Sequence, residues 1–182
     1  QLTSTGYAKA PTDMLCRIAY PDATVTNLYY NSAGQLAAII DPGAELTTFG
    51  YTQNTDALLT QIRDSIANDV LALTGGTAAD ASTVKIEYTA GRKVQSVTLP
   101  APDGATEAAR PKKTFTYTPN ADSSGTASVD IAGLSGHANT AAYDQAWRQV
   151  SATSALGVTA TQEWMPLKDL LTASTDTLGR KS

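Results

Sequence analysis

Tyr30-Asn31-Ser32-Ala33-Gly34-Gln35-Leu36, running on through Ile39-Ile40 to Asp41-Pro42-Gly43, is the stretch that decides the fold. A short apolar run ends on a tyrosine, a polar turn closes on glycine, and a second apolar run leads to another turn. Proline fixes φ and glycine accepts positive φ, so these tripeptides punctuate antiparallel hairpins. The pattern recurs. Tyr51 precedes Leu58-Leu59, Ile62 and Asp64; Tyr88 precedes Gly91-Arg92-Lys93-Val94 and Val97; Tyr143-Asp144 precedes Arg148 and Val150. Trp164 precedes Leu170-Leu171, Asp176 and Gly179-Arg180. Tyr30 and Tyr51 stand 21 residues apart, and so do Tyr143 and Trp164. A supersecondary unit repeated at such a spacing builds scaffolds rather than active sites.

Working outward, short runs rich in aromatic, β-branched and aliphatic residues predict strands at 17–20, 27–30, 36–40, 46–51, 83–88 and 93–99. The same grammar predicts strands at 114–118, 128–131, 149–153, 159–164 and 170–174. One segment carries two signals. Leu59, Ile62, Ile66, Val70 and Leu73 share a helical face with Gly75-Gly76 as a stop, whereas the repeat asks for a strand over 58–62. The expected resolution is a strand to about Arg63 and one short helix over Ser65–Leu73. Residues 1–13 read as a polar lead-in and 14–182 as a β-strip, with insertions near 65–82, 100–113 and 119–140. Long loops on a repeat protein gather on one face, and the plain reading of these is tolerated insertion.

Composition narrows the function. Charged residues are 16% of the chain, against roughly 25% in ordinary globular domains, and Thr, Ser and Ala take their place. A net charge of −4 argues against nucleic acid, which needs a concentrated basic face. The basic run Arg110-Pro111-Lys112-Lys113 reads as a solvated loop. A single Cys16 excludes an internal disulfide, and with the lone His137 it is too little for a zinc site, so no cofactor is expected. Cys16 itself reads as a small buried hydrophobe. No apolar run reaches the roughly 18 residues of a membrane span, and residues 1–12 carry no signal-peptide core. The close at Gly179-Arg180-Lys181-Ser182, just after a turn signal, reads as an excerpt of a longer chain.

No catalytic residue emerges. A serine hydrolase would have only His137 as base, and no Gly-x-Ser-x-Gly elbow is present. Glu87, Glu163 and Asp144 are the carboxylates nearest to strands that a glycosidase pair could use, but nothing in their spacing selects them. Gly75-Gly76-Thr77 lacks the Gly-Lys-Ser/Thr of a phosphate loop.

Tyr-x-x-x-Gly-x-Leu followed by Asp-Pro-x-Gly resembles the Rhs/YD-repeat family, whose relatives include teneurins and toxin-complex shells. Tyr20-Pro21-Asp22 resembles that family's YPDG element with Ala23 in place of glycine, and Pro102-Asp103-Gly104 repeats it. Tyr143-Asp144 is a complete YD pair, and Asp176-Thr177-Leu178-Gly179-Arg180 resembles the DPLGR turn with Thr177 in place of proline. The resemblance covers about residues 14–182. It implies an all-β antiparallel strip of twisted hairpins, part of a spiral shell of a secreted or surface bacterial protein. Such shells enclose or display a C-terminal toxin or effector. The repeat anchors would be Tyr30, Tyr51, Tyr88, Tyr117, Tyr143 and Trp164, and the repeat turns Asp41-Pro42-Gly43, Asp103-Gly104 and Asp176 with Gly179. The family's self-cleavage signature is not found in this sequence, so no catalytic role is carried over and the chain is expected not to be an enzyme.

Hairpins of this kind cannot bury an apolar face alone, so the expected partners are neighbouring repeats and an effector of the same polypeptide. Exposed sheet edges predict self-association. Adhesion or glycan binding is the competing expectation: exposed Tyr and Trp on a flat sheet stack on sugar rings, whereas buried ones are anchors.

Overall fold

A computed structural model of the chain describes residues 6–74, 80–103, 106–131 and 138–182. The protein is mostly β: among the described residues thirteen strands follow one another in chain order in an open antiparallel sheet. They are β1 (Arg17–Ala19), β2 (Val25–Tyr30), β3 (Leu36–Asp41), β4 (Glu45–Tyr51), β5 (Leu59–Arg63), β6 (Val84–Tyr88) and β7 (Val94–Thr98). The rest are β8 (Lys112–Pro119), β9 (Gly125–Ile131), β10 (Asn139–Tyr143), β11 (Gln149–Thr153), β12 (Thr159–Trp164) and β13 (Leu171–Thr175). Among the described residues one α-helix interrupts them, α1 (Ser65–Leu73). The chain forms two compact units: Gln1–Glu87 with Thr98–Arg110, and Tyr88–Val97 with Pro111–Ser182.

In the first unit the doubly marked segment divides as expected. Phe49 pairs with Ile62 across β4 and β5, so Leu59 and Ile62 serve the sheet. The chain then turns at Asp64, whose carboxylate accepts the Ala67 N–H at 2.9 Å and caps α1. The helix docks through small and polar side chains: Ala67 is buried, and Asn68 Nδ2 donates to the Leu46 carbonyl of β4 at 2.7 Å. Its end is closed by Thr74, whose hydroxyl donates to the Val70 carbonyl at 2.8 Å. The Gly75-Gly76 stop lies outside the described residues.

The basic run is not a solvated loop. Arg110 is buried, and β8 begins at Lys112. The Arg110 guanidinium donates to the Thr83 carbonyl at 2.5 Å and the Leu99 carbonyl at 3.0 Å, and pairs with Glu107 at 2.9 Å. A charge survives burial only when its donors are satisfied, and here two backbone carbonyls and a carboxylate do so. Ala101 N–H donates to the Ala81 carbonyl beside it, and both alanines are buried. Thus Ala101 and Arg110 are buried on either side of a short, exposed 3-10 turn at Glu107–Ala109.

In the second unit the described residues form a sheet without a thick core. Of its described residues only Ser96 and Gly125 are buried. Along β12, Thr159, Thr161 and Glu163 are exposed while Ala160, Gln162 and Trp164 are half-buried, the alternation of a sheet with one covered face. The expected insertion at 119–140 is smaller than the sequence suggests. Asn120–Ser124 is a tight turn, β9 starts at Gly125, and β10 pairs with it from Asn139↔Val129 to Tyr143↔Gly125. The alanine-rich Asn139–Tyr143 carries little strand propensity of its own, and cross-strand pairing decides it.

Candidate functional site: an aromatic clamp repeated along the sheet

Each clamp begins at a tight turn. At Asn31, Thr89, Asn120, Asp144, Ser154 and Asp176, the N–H three residues on donates back to the opening carbonyl. The opening N–H in turn donates to the carbonyl four residues on. The residue before the close has positive φ: Gly34, Arg92, Ser123, Trp147, Gly157 and Gly179. This is a three-residue hairpin loop whose last residue is left-handed, so that the exit strand leaves with the correct twist. Side-chain oxygens tighten it. Asp144 Oδ1 accepts Ala146 and Arg148 N–H at 2.9 and 3.0 Å, and Asp176 Oδ1 accepts Leu178 and Arg180 N–H, both at 2.9 Å. Both carboxyls are held below the usual carboxylate range, Asp144 mainly by the Arg148 side chain and Asp176 mainly by the Arg180 backbone N–H.

An aromatic residue then reaches back to the carbonyl just beyond such a bend. Tyr30 OH donates to the Leu15 carbonyl at 2.6 Å, Tyr51 OH to Leu36 at 2.8 Å, and Trp164 Nε1–H to Gln149 at 2.7 Å, each 15 residues back. Tyr117 OH makes the same bond to Val94 at 2.9 Å over 23 residues, the longer span reflecting the longer connection between β7 and β8. In all four, the acceptor is the second residue after one with positive φ: Asp13, Gly34, Arg92 or Trp147. A ring thus lies along the strand while its polar end donates to a backbone carbonyl just past the bend.

The anchors also mark bulges. Pairing slips by one residue at Tyr30, Tyr51, Tyr143 and Trp164. The extra residue lies on the following strand, at Ala37, Thr60, Val150 and Thr172 respectively. Two of these are threonines whose hydroxyls donate to the carbonyl before the anchor, Thr60 to Gly50 at 3.2 Å and Thr172 to Glu163 at 3.0 Å.

At two of the turns a further bond reaches the next turn along the border. Gln35 closes the Asn31 turn and its Nε2 donates to the Ala57 carbonyl at 3.1 Å. Arg148 closes the Asp144 turn. Its guanidinium grips Asp144 at 2.7 Å, lies 5.7 Å from the Trp164 ring centre, and donates through Nη1 to the Met165 carbonyl at 3.1 Å and the Lys168 carbonyl at 2.5 Å. The turns that receive these bonds are wider, closed by Thr52 with Leu58 and by Met165 with Leu170.

Of the six anchor positions, Tyr30 is buried and Tyr51, Tyr88, Tyr117, Tyr143 and Trp164 are half-buried. Tyr143 rests against Trp147 with ring centres 6.4 Å apart. Lys93 lies 4.6 Å from the Trp147 ring centre and 5.1 Å from that of Tyr117, which joins the Thr89 and Asp144 turns. Sequence reading passed over Trp147, because a left-handed turn position signals glycine. The expected turns differ among themselves. Asp176 and Gly179 follow the rule. At Asp41-Pro42-Gly43 the glycine has φ 88°, but Asp41 spends its carboxylate on the Thr26 hydroxyl at 2.6 Å. Asp103 instead accepts the Thr106 N–H at 2.8 Å, and Gly104 lies outside the described residues.

The weighed carboxylates have local partners. Asp144 is held by its turn and Arg148, while Glu163 accepts Lys181 Nζ at 2.5 Å. Among the described residues no group of three or more His, Cys, Asp or Glu side chains could hold a metal, and no helix is long and apolar enough to cross a membrane. His137 lies outside the described residues, and Cys16 is half-buried. No protein-family model matches the chain, and no curated protein gives a significant match.

Proposed function

We propose that this chain is a non-catalytic structural segment of a bacterial Rhs/YD-repeat protein, part of a β-shell or scaffold that encloses or displays a C-terminal toxin or effector. The observation that carries the reading is the recurrence of one bond, from an aromatic strand end to a carbonyl just past a bend, at Tyr30, Tyr51, Tyr117 and Trp164. An active site concentrates its polar groups at one place; here the same polar device is distributed along the sheet and directed at its own backbone. Four of the six anchor aromatics direct their polar ends at the backbone and are buried or half-buried, as structural anchors are. The reading places the protein outside the cell or on its surface.

Limited proteolysis of the natural polypeptide that contains this segment, followed by mass spectrometry, tests it. A C-terminal segment that survives protease until the β-structure is denatured is the expected result. Digestion of that segment at the rate of a free domain would defeat the enclosing role.

A further inference from the structure

Arg148 and Arg180 occupy the same position of the same turn. In both, the arginine N–H donates to Oδ1 of the opening aspartate, its carbonyl accepts that aspartate's N–H, and its side chain grips Oδ2. The two part company beyond the turn. The Arg148 side chain is 16% exposed, its remaining donors taken by Met165 and Lys168 carbonyls and its face set against Trp164. That of Arg180 is 76% exposed, and among the described residues its Nη groups meet no partner. The backbone beside it is already arranged for more sheet. Ser174 and Ser182 exchange both N–H···O bonds, and Thr175 pairs with Lys181 at the place where Tyr143 pairs with Gln149 after Arg148, although the bulge at Val150 has no counterpart at Ser182.

We propose that Arg180 is a docking group for the wide turn of one further hairpin of this same type, packed beyond β13. The occupant is specified by the first copy: an aromatic ending its strand, set beneath the guanidinium, and then a turn presenting two backbone carbonyls to Nη1. Gln35, reaching the Ala57 carbonyl from the same turn position, shows that the device is not peculiar to one arginine. A guanidinium suits it because its planar fork serves the aspartate and the carbonyls at once, which an ammonium cannot. The inference rests on the repeat reading and adds which residue receives the neighbour and by which atoms.

The test extends the full chain. A copy of residues 151–175 is appended after Ser182, so that Lys181-Ser182 stand where Gln149-Val150 stand and the copied wide turn falls at the same distance from Arg180. Hydrogen exchange reports whether the appended strands pair, and unfolding midpoints report Arg180→Ala in both lengths. The expected result is protected strands, with Arg180→Ala nearly silent in the 182-residue chain. In the extended chain it lowers the folding constant about tenfold, the scale of a charge-assisted hydrogen bond. Arg148→Ala, costly in both lengths, calibrates the effect. Protected strands with an equally silent Arg180→Ala would overturn the docking role and leave the repeat reading standing. Unprotected strands would overturn both.

Discussion

The Tyr51 hydroxyl donates to the Leu36 carbonyl at 2.8 Å, and Leu36 is the second residue past the left-handed Gly34. The bond therefore joins the exit of one turn to the entrance of the next. Were β4 to slip against β3 by one residue, the ring would face the opposite side and the bond would be lost. Repetition of this relationship at Tyr30, Tyr117 and Trp164 gives an open sheet a register that a thin core alone would specify weakly.

Ala23 sits at φ 67° in the turn that runs from Tyr20 to Thr24, where an L side chain crowds its own backbone. Ala23→Gly should stabilise the protein by about 1 kcal/mol, measured by equilibrium unfolding, because glycine takes that conformation without the clash. A destabilised variant would mean that the turn is not held left-handed.

Acid should loosen the turns before it affects the strands. Asp144 and Asp176 have folded-state pKa values below the ordinary 3.8, as do Asp22 and Asp122 through their bonds to Thr24 and Ser124. A carboxyl whose pKa is depressed by folding contributes stability that is complete above about pH 4 and is lost as pH falls through the lower folded value. Thermal melting between about pH 7 and pH 2 should show a flat upper limb and a fall below about pH 4. Asp144→Asn should make that fall shallower. An unchanged acid limb in the variant would contradict the assignment.

Trp147 has two opposed effects. Its φ of 61° favours glycine, yet its ring receives Lys93 at 4.6 Å. Trp147→Gly should relieve about 1 kcal/mol of backbone strain and lose about as much in ring contacts, so its net effect on stability should be small. Lys93→Met should cost about 0.5–1 kcal/mol in the parent and less in the Trp147→Gly background, where only its contact with the Tyr117 ring remains. Additive costs in a double-mutant cycle would show that the lysine acts elsewhere.

Much of this fold is written in local chemistry. Pro21-Asp22, Ser32-Ala33-Gly34 and Asp41-Pro42-Gly43 mark turns by their own conformational limits, and the runs between them mark strands. Asp64 ahead of Ser65–Leu73 marks a helix start in the same way. What the sequence hides depends on distant partners. The Asn139–Tyr143 strand exists because β9 and β11 flank it. Arg110 looks like a surface charge until Thr83, 27 residues earlier, supplies its carbonyl. Arg92, Ser123 and Trp147 hold left-handed positions without being glycine, since the hairpin imposes the conformation on whatever residue arrives there. The 21-residue aromatic spacing is visible in the sequence, whereas the 15-residue reach of each anchor to its carbonyl requires the paired strands.

Equilibrium unfolding of Tyr51→Phe against Tyr29→Phe addresses the clamp most directly. Tyr29 is a buried neighbour in the first unit whose ring stacks on Tyr7 with centres 5.0 Å apart, and its hydroxyl bonds no backbone carbonyl among the described residues. Removing the Tyr51 hydroxyl leaves the Leu36 carbonyl without its donor and should cost about 1–2 kcal/mol, while Tyr29→Phe should change stability by less than about 0.5 kcal/mol. Equal costs for the two substitutions would contradict the claim that the anchor-to-turn bond holds this sheet in register.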